Sequence, residues 1–170
     1  MKEFLVVDGY NIIYAWVEFE KFKGISLEHA RFRLISKLAN YSHLSGKKIY
    51  VVFDAHQVKD SLERTETIDS VEVVYTKQGE TADTYIESLV GRLLIKGVVY
   101  VATSDWAEQS VVFGRGAYRL TPNELLSEIK RIKKESSKYY VKGVPADSYL
   151  ENFLLDQIRS KLERLRRQKK

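Results

Sequence analysis

The chain has no cysteine, only two prolines and no long apolar run among its 170 residues. The absence of cysteine excludes disulfides, thiolate zinc sites and cysteine nucleophiles, and it fits a reducing compartment. No segment is apolar for the length that a membrane-spanning helix needs. Because a strand-like pattern follows the first three residues directly, we expect no export signal. These absences predict a cytoplasmic protein without a membrane partner.

The net charge of +5 is unevenly distributed. Residues 159–170 carry +6 and residues 130–138 carry +4, so the rest of the chain carries −5. Basic segments beside an acidic body suit a polyanion such as RNA. The competing interpretation is a basic helix end that only complements the helix dipole. The cations predicted to bind RNA are Lys130, Arg131, Lys133, Lys134, Arg164, Arg166 and Arg167.

Strand and helix patterns alternate through most of the chain. Apolar runs predict strands over residues 4–8, 49–54, 71–76, 98–103 and 117–120. Helical spacing predicts helices capped by Ser26, by Thr81 and by the capping box Thr121-Pro-Asn-Glu124. We expect residues 57–70 to form a loop and Gly97 to stop the second of these helices. The alternation predicts an α/β fold, with a mainly parallel sheet of four to five strands and helices on both faces.

The chain breaks at Gly143 and Pro145, before a last apolar stripe at helical spacing. The stripe comprises Leu150, Phe153, Leu154, Ile158, Leu162 and Leu165. The pattern predicts one domain over residues 1–140 and a basic amphipathic helix over residues 146–170 that docks on that domain or on a partner.

Four aspartates stand where an apolar run gives way to a turn or a helix: Asp8, Asp54, Asp83 and Asp105. The carboxyl ends of parallel strands meet at one edge of a sheet, so we expect these side chains to lie together. Clustered carboxylates repel one another unless a cation neutralises them, and oxygen ligands suit Mg²⁺ or Mn²⁺. Each aspartate has an ordinary explanation as a turn former or helix cap, but their coincidence at one edge favours a shared metal site.

A divalent ion at such an edge lowers the pKa of a bound water and neutralises charge on a phosphoryl oxygen. Phosphodiester hydrolysis is therefore the reaction that these residues suit best. Polar groups beside the acids that would orient water, phosphate or ligands are Asn11, Ser104 and Gln109. Tyr10 and Tyr14 follow the first strand, where aromatic rings stack on unpaired bases. They predict single-stranded RNA as the substrate, with packing in the core as the competing interpretation.

Five motifs resemble, in order and spacing, the YacP-like group of NYN domains in the PIN-like nuclease superfamily. They are Asp8-Gly-Tyr-Asn11, Val52-Phe-Asp-Ala55, Glu80-Thr-Ala-Asp83, Thr103-Ser-Asp105 and Phe113-Gly-Arg-Gly-Ala117. The resemblance covers residues 3–135 and implies a PIN-like three-layer fold. It also implies a metal-dependent endoribonuclease that cleaves mRNA in association with ribosomes.

The resemblance also implies roles for individual residues. Asp8, Asp83 and Asp105 match the acidic metal site of the family, and Asn11 matches the asparagine of its first motif. Asp54 and Glu80 match the pattern beside that site. The implied catalytic group is therefore three aspartates and one asparagine, with Asp54 as a further metal ligand and Glu80 among the supporting residues.

Two other functions stay open. A non-catalytic RNA-binding or ribosome-binding module would keep the acidic edge for folding or ion binding only. A phosphatase or phosphoacceptor would use Asp8 or Asp54 as a nucleophile. The second interpretation is the weaker, because a haloacid-type phosphatase needs an aspartate where this chain has Tyr10, and a receiver domain needs adjacent acids at the end of the first strand.

Overall fold

The computed structural model describes residues 1–22, 24–55, 64–105, 107, 110–111 and 114–141. The chain divides into two compact units, Met1–Ile132 and Lys133–Lys170. The first unit contains the sheet. The amphipathic helix expected over residues 146–170 lies outside the described residues.

The centre of the first unit is a six-stranded sheet. Its strands are β1 (Lys2–Asp8), β2 (Lys48–Phe53), β3 (Arg64–Ile68), β4 (Val71–Tyr75), β5 (Gly97–Ala102) and β6 (Tyr118–Leu120). They lie in the order β3-β4-β2-β1-β5-β6, and every neighbouring pair is parallel except β3 with β4. The prediction of a mainly parallel sheet is confirmed, and the sheet has six strands where four to five were expected.

The additional strand is β3, which lies in the segment predicted to be a loop. Its sequence Arg-Thr-Glu-Thr-Ile is polar, and most of its side chains are exposed. Polar side chains are common on edge strands because they discourage pairing with other chains. An edge strand of this kind has no apolar run from which to predict it.

Helices cover both faces of the sheet. They are α1 (Gly9–Ala15), α2 (Leu27–Ser45), α3 (Ala82–Leu94) and α4 (Pro122–Val141), and a 3-10 helix spans Val17–Phe22. The helices α1 and α2 and the start of α4 share one apolar cluster with the strands, and α3 shares a second cluster on the opposite face. No helix in the described part of the chain is long and apolar enough to cross a membrane.

The predicted helix starts are confirmed by their capping bonds. The Ser26 Oγ accepts the His29 N–H at 3.2 Å, and the Thr81 Oγ1 accepts the Thr84 N–H at 3.2 Å. In the capping box of α4, the Thr121 Oγ1 accepts the Glu124 N–H, and the Glu124 carboxylate accepts the Thr121 N–H at 2.7 Å. These bonds satisfy N–H groups that the first turn of a helix leaves without partners.

Gly97 has a different role from the one expected. The helix α3 ends at Leu94, and Gly97 is the first residue of β5, without a left-handed backbone conformation. It pairs with Lys2 of β1, and a Cβ at this position would lie 2.1 Å from the Lys2 carbonyl oxygen. The glycine is required by the close approach of β1 and not by the end of the helix.

We predict that Gly97→Ala lowers the free energy of unfolding by about 1–3 kcal/mol, because the added methyl group forces β1 and β5 apart. Urea unfolding measures this change. The matched control is Gly91→Ala within α3, where the nearest atom to a new Cβ is the Arg115 Nη1 at 3.8 Å. The control should leave stability unchanged or raise it by about 0.5–1 kcal/mol. Equal unfolding midpoints for the two variants would contradict the steric explanation.

Lys47 joins four elements at the amino-terminal edge of the sheet, where its side chain is 15% exposed. Its Nζ lies 3.8 Å from a Glu3 carboxylate oxygen and 3.9 Å from one of Glu128. The same Nζ donates to the Tyr41 hydroxyl at 3.3 Å and lies 4.9 Å from the centre of the Tyr100 ring. A mostly buried cation with carboxylates on two elements is compensated for its lost hydration. This cluster therefore connects α2 and α4 to β1 and β5.

Burial and the Glu128 carboxylate raise the pKa of Tyr41 to about 12. Because this value lies above the ordinary 10.0, the folded state holds the proton more tightly than the unfolded state. The resulting stabilisation is complete below pH 10.0 and is lost as the pH rises toward about 12. We predict that the stability difference between wild type and Tyr41→Phe decreases by at most about 3 kcal/mol across this window. Urea unfolding of both proteins at several alkaline pH values tests this, and a pH-independent difference would contradict it.

Candidate functional site

Four aspartates lie at the carboxyl-terminal edge of the sheet. Asp8 ends β1, Asp54 follows β2, Asp105 follows β5, and Asp83 is in the first turn of α3. We call these four residues the acidic edge. Since β1, β2, β4 and β5 are parallel, their last residues share this edge although they are far apart in sequence.

Three members of the acidic edge lie on the same side of the sheet. Asp8 pairs in register with Val52, and Val52 packs in the apolar cluster of α3. Paired residues of parallel strands point to the same face, so the Asp8 side chain is also on the α3 side. Asp54 lies two residues beyond Val52 and returns to that side, where its Oδ2 accepts the Ala82 N–H at 3.3 Å. The next residue along α3 is Asp83, so both strand carboxylates face the start of this helix.

The carboxylates at the first turn of α3 stabilise this helix whether or not they also bind an ion. Asp83 is exposed and Asp54 is partly buried, and both lie at the amino-terminal end of the helix. The helix dipole stabilises negative charge at this end. Helix stabilisation and ion binding are compatible, because a carboxylate has oxygen lone pairs beyond the one that a backbone N–H occupies.

Asn11 connects α1 to the segment that carries Asp105. Its Oδ1 accepts the Ser104 N–H at 2.7 Å, across 93 positions of sequence. Within the segment, the Thr103 Oγ1 accepts the Asp105 N–H at 3.1 Å, and the Asp105 Oδ1 accepts the Ala107 N–H at 2.8 Å. The amide of Asn11 therefore fixes the backbone that presents Asp105.

Gly9 permits α1 to begin directly at the end of β1. A Cβ at this position would lie 2.3 Å from the nearest carbon of the Phe53 ring. Without a side chain, the backbone of α1 packs closely over β2, and Asn11 is brought toward Ser104. This requirement accounts for the glycine in the motif Asp8-Gly-Tyr-Asn11.

The donor chemistry of the acidic edge fits a hard divalent cation, because all four side chains offer only oxygen. Asp8 retains 9% exposure, and Asp54 and Asp105 are partly buried, so part of their charge is removed from water. Within the described ranges, no group of three or more His, Asp or Glu side chains is arranged to hold a metal ion. The residues therefore fit the ion by chemistry, while the described conformation lacks a preformed set of three ligands.

The family model of the YacP-like NYN domain matches residues 5–167 of the chain. The chain belongs to this family. A curated relative, the uncharacterized protein YacP of Bacillus subtilis (strain 168), is 47% identical over 133 residues, which are 78% of each protein. The resemblance seen in the five sequence motifs is confirmed.

Two solved structures are similar over nearly the whole chain. The crystal structure of Rae1 (YacP) from Bacillus subtilis is 41% identical, with a TM-score of 0.73, and the match covers 96% of this chain and 94% of that one. The structure of a single-residue mutant of the same protein is 40% identical, with a TM-score of 0.72 and 91% of both chains covered. The NYN, PIN-like fold is confirmed, and membership of the YacP-like NYN family indicates an RNA-related nuclease domain.

The structure corrects the expectation for Tyr10. Its side chain is only 5% exposed, and its ring lies edge-on to Phe53 with 5.1 Å between the ring centres. In this position the ring belongs to the core and is not available to stack on a base. Tyr14 is 45% exposed, so its base-stacking role stays a prediction.

The structure describes four of the seven cations that were predicted to bind RNA. Lys130, Arg131, Lys133 and Lys134 are all exposed. Arg131 pairs with Glu128 at 2.9 Å, which reduces its availability for a phosphate. Arg164, Arg166 and Arg167 lie outside the described residues, as does Gln109. Glu80 is partly buried immediately before α3.

One polar contact near this edge was missed by the sequence analysis. The Arg31 Nη1 on α2 donates to the Tyr10 hydroxyl at 2.9 Å. The available signal was the position of Arg31, four residues from both Leu27 and Ile35 on the apolar face of α2. A cation at such a position needs a polar partner, but sequence spacing does not identify that partner.

We predict that Asn11→Ala removes the hydrogen-exchange protection of the Ser104 amide, because its acceptor is lost. Asn11→Asp should retain the protection, since a carboxylate oxygen accepts the same bond. The alanine variant should lose about 1 kcal/mol of stability, a value typical of one hydrogen bond. Amide exchange measured by NMR distinguishes the variants, and unchanged protection in Asn11→Ala would show that the bond does not hold the segment.

Proposed function

We propose that the chain is a Mg²⁺-dependent or Mn²⁺-dependent endoribonuclease that hydrolyses phosphodiester bonds of single-stranded RNA, acting on mRNA at the ribosome in the cytoplasm. The observation that carries the proposal is the placement of Asp8, Asp54 and Asp83 on one side of the acidic edge. Membership of the YacP-like NYN family supports the nuclease class. Messenger RNA and the ribosome come from the family resemblance.

In this proposal Asp8, Asp83 and Asp105 hold the ion, with Asp54 beside them. When bound, a divalent cation neutralises charge on the scissile phosphoryl group and makes a water molecule more acidic. Asn11 acts through the protein, because it holds the segment of Asp105 in place. We assign the orientation of water, phosphate and the metal-binding residues to Glu80, Ser104 and Gln109.

The substrate must approach an edge that carries negative charge. RNA is a polyanion, so cations of the protein are needed to attract the strand. The exposed Lys130 lies on α4 two residues beyond Glu128, which approaches Lys47 at the amino-terminal edge of the sheet. Lys133 and Lys134 are exposed in the second unit. We propose that these lysines contribute to the salt-sensitive attraction of RNA and not to a contact at the acidic edge. Tyr14 remains the candidate for base stacking, because its ring is accessible.

One observation favours the alternative of a non-catalytic RNA-binding module. Asp54 and Asp105 each direct one oxygen at a backbone N–H, as ordinary capping residues do. If capping were their whole role, RNA binding would survive their substitution and no cleavage would depend on them. The alternative therefore predicts a protein that binds RNA in a salt-sensitive way without hydrolysing it.

We predict that Asp8→Asn and Asp83→Asn each reduce metal-dependent RNA cleavage on the order of 100-fold or more, because each removes a charge that neutralises the cation. The matched control is Asp69→Asn. Asp69 lies in the turn between β3 and β4, at the opposite edge of the sheet, and asparagine tolerates its φ of 56°. Cleavage of a labelled single-stranded RNA with added Mg²⁺ or Mn²⁺ measures the effect.

The control variant should cleave at the wild-type rate. Equal cleavage by wild type, Asp8→Asn and Asp83→Asn would overturn the assignment of the acidic edge. Binding of RNA without cleavage by any of the proteins, including wild type with either ion, would establish the non-catalytic alternative.

A further inference from the structure

Three aromatic rings form a row beneath the ends of β1, β2 and β4. Tyr10 packs edge-on against Phe53 at 5.1 Å, and Phe53 stacks on Tyr75 at 5.7 Å between ring centres. All three rings are at most 6% exposed, and they belong to the apolar cluster that faces α1 and α2. The row therefore lies on the opposite side of the sheet from Asp8 and Asp54, but at the same edge.

A guanidinium group stands at each end of this row. Arg31 of α2 donates to the Tyr10 hydroxyl at 2.9 Å, and Arg64 of β3 lies 4.5 Å from the centre of the Tyr75 ring. Side chains on a helix tilt toward its amino terminus. The amino terminus of α2 lies at the carboxyl edge of the sheet, because α2 runs back to the start of β2. The long side chain of Arg31 thus extends toward the edge where the aspartates lie.

The partner of Arg31 in this contact is a hydroxyl and not a carboxylate, so the contact brings no negative charge to the guanidinium. Among the described residues, no carboxylate forms an ion pair with Arg31. The residue is only partly buried, and its bond to Tyr10 uses one of the five N–H donors of the guanidinium. A planar fork of donors, held in one orientation and not neutralised, is well suited to a phosphate group.

We propose that Arg31 binds a backbone phosphate of the RNA strand as the strand passes over the edge of the sheet, with Tyr10 as the residue that orients the guanidinium. This inference rests on the proposed function and adds a specific contact to it. Arg31 lies on the other side of the sheet from the carboxylates, so its positive charge attracts a polyanion that the carboxylates alone would repel. Arg31 is a binding residue in this proposal, and Tyr10 is a positioning residue.

Arg64 provides an internal comparison. Its guanidinium lies 3.9 Å from the Glu66 carboxylate, and its side chain is 59% exposed. The nearby negative charge reduces the attraction of Arg64 for a phosphate, and its greater exposure raises the entropic cost of fixing the side chain. Loss of Arg64 should therefore weaken RNA binding less than loss of Arg31.

The test is the salt dependence of binding to a fluorescently labelled single-stranded oligouridylate, measured with EDTA present so that no divalent ion contributes and no cleavage occurs. For Arg31→Gln we expect weaker binding and a salt slope smaller by about 0.7, the value for one lost phosphate contact on a single strand. Arg31→Lys should keep the slope. Tyr10→Phe should weaken binding without changing the slope, because the charge remains but loses its orientation.

The matched control is Arg92→Gln. Arg92 lies in the last turn of α3, away from the acidic edge, and is stacked 5.9 Å from the Tyr85 ring. The Arg92→Gln variant should bind the oligouridylate with the affinity and the salt slope of wild type. The inference would be overturned if Arg31→Gln kept the affinity and the salt slope of wild type. It would also be overturned if Arg31→Lys lost as much of the slope as Arg31→Gln does.

The outcomes separate this inference from the proposed function. If wild type binds and cleaves RNA but Arg31→Gln binds it with the wild-type slope, only the Arg31 contact is wrong. If wild type shows no salt-sensitive binding to the oligouridylate, the contact and the proposed RNA substrate fail together. A thermal unfolding curve for each variant shows whether it is folded. If Arg31→Gln does not fold, Arg31→Lys still tests the inference.

Discussion

The central strand β1 is the element on which the rest of the structure depends. It forms parallel ladders with β2 on one side and β5 on the other, so it joins the two halves of the sheet. Its residues from Phe4 to Val7 are at most 4% exposed and alternate between the two apolar clusters. Because both faces and both edges of β1 are used, its register determines where each neighbouring strand ends. The position of Asp8 relative to Asp54 and Asp105 follows from that register.

The two edges of the sheet have different electrostatic arrangements. At the amino-terminal edge, Lys47 is balanced by Glu3 and Glu128, and it connects strands and helices that meet there. At the carboxyl-terminal edge, the aspartates face the start of α3 and the backbone of the segment after β5. The amino-terminal edge therefore uses ion pairs between helices and strands, whereas the carboxyl-terminal edge uses carboxylates that accept backbone hydrogen bonds.

Local rules predicted much of the fold, whereas the failures come from contacts that reach beyond one turn of the chain. The helix starts at Ser26, Thr81 and Thr121 were predictable because a capping bond involves residues within one turn. The strand β3 was not, since its polar residues gain their structure from the partner strand β4. Gly97 was misread because the atom that requires a glycine belongs to Lys2, almost one hundred positions away.

The candidate site was likewise predictable from the sequence only in part. The positions of the four aspartates at one edge followed from the strand pattern, because parallel topology brings strand ends together whatever the details of packing. The burial of Tyr10 and the amide bond from Asn11 to Ser104 did not follow, since each depends on how closely α1 approaches β2 and β5. Long-range contacts of single side chains are set by packing, and a pattern of residue types does not determine them.

The opposite faces of the edge carry opposite charges, and this arrangement bears on how a polyanion would lie there. Asp8 and Asp54 are on the α3 side, whereas Arg31 and Arg64 flank the aromatic row on the α2 side. A strand held only by the acidic side would depend entirely on the bound cation for its attraction. A strand that also contacts the arginines is attracted from the other side of the sheet, so the ion need only neutralise the phosphate nearest the carboxylates.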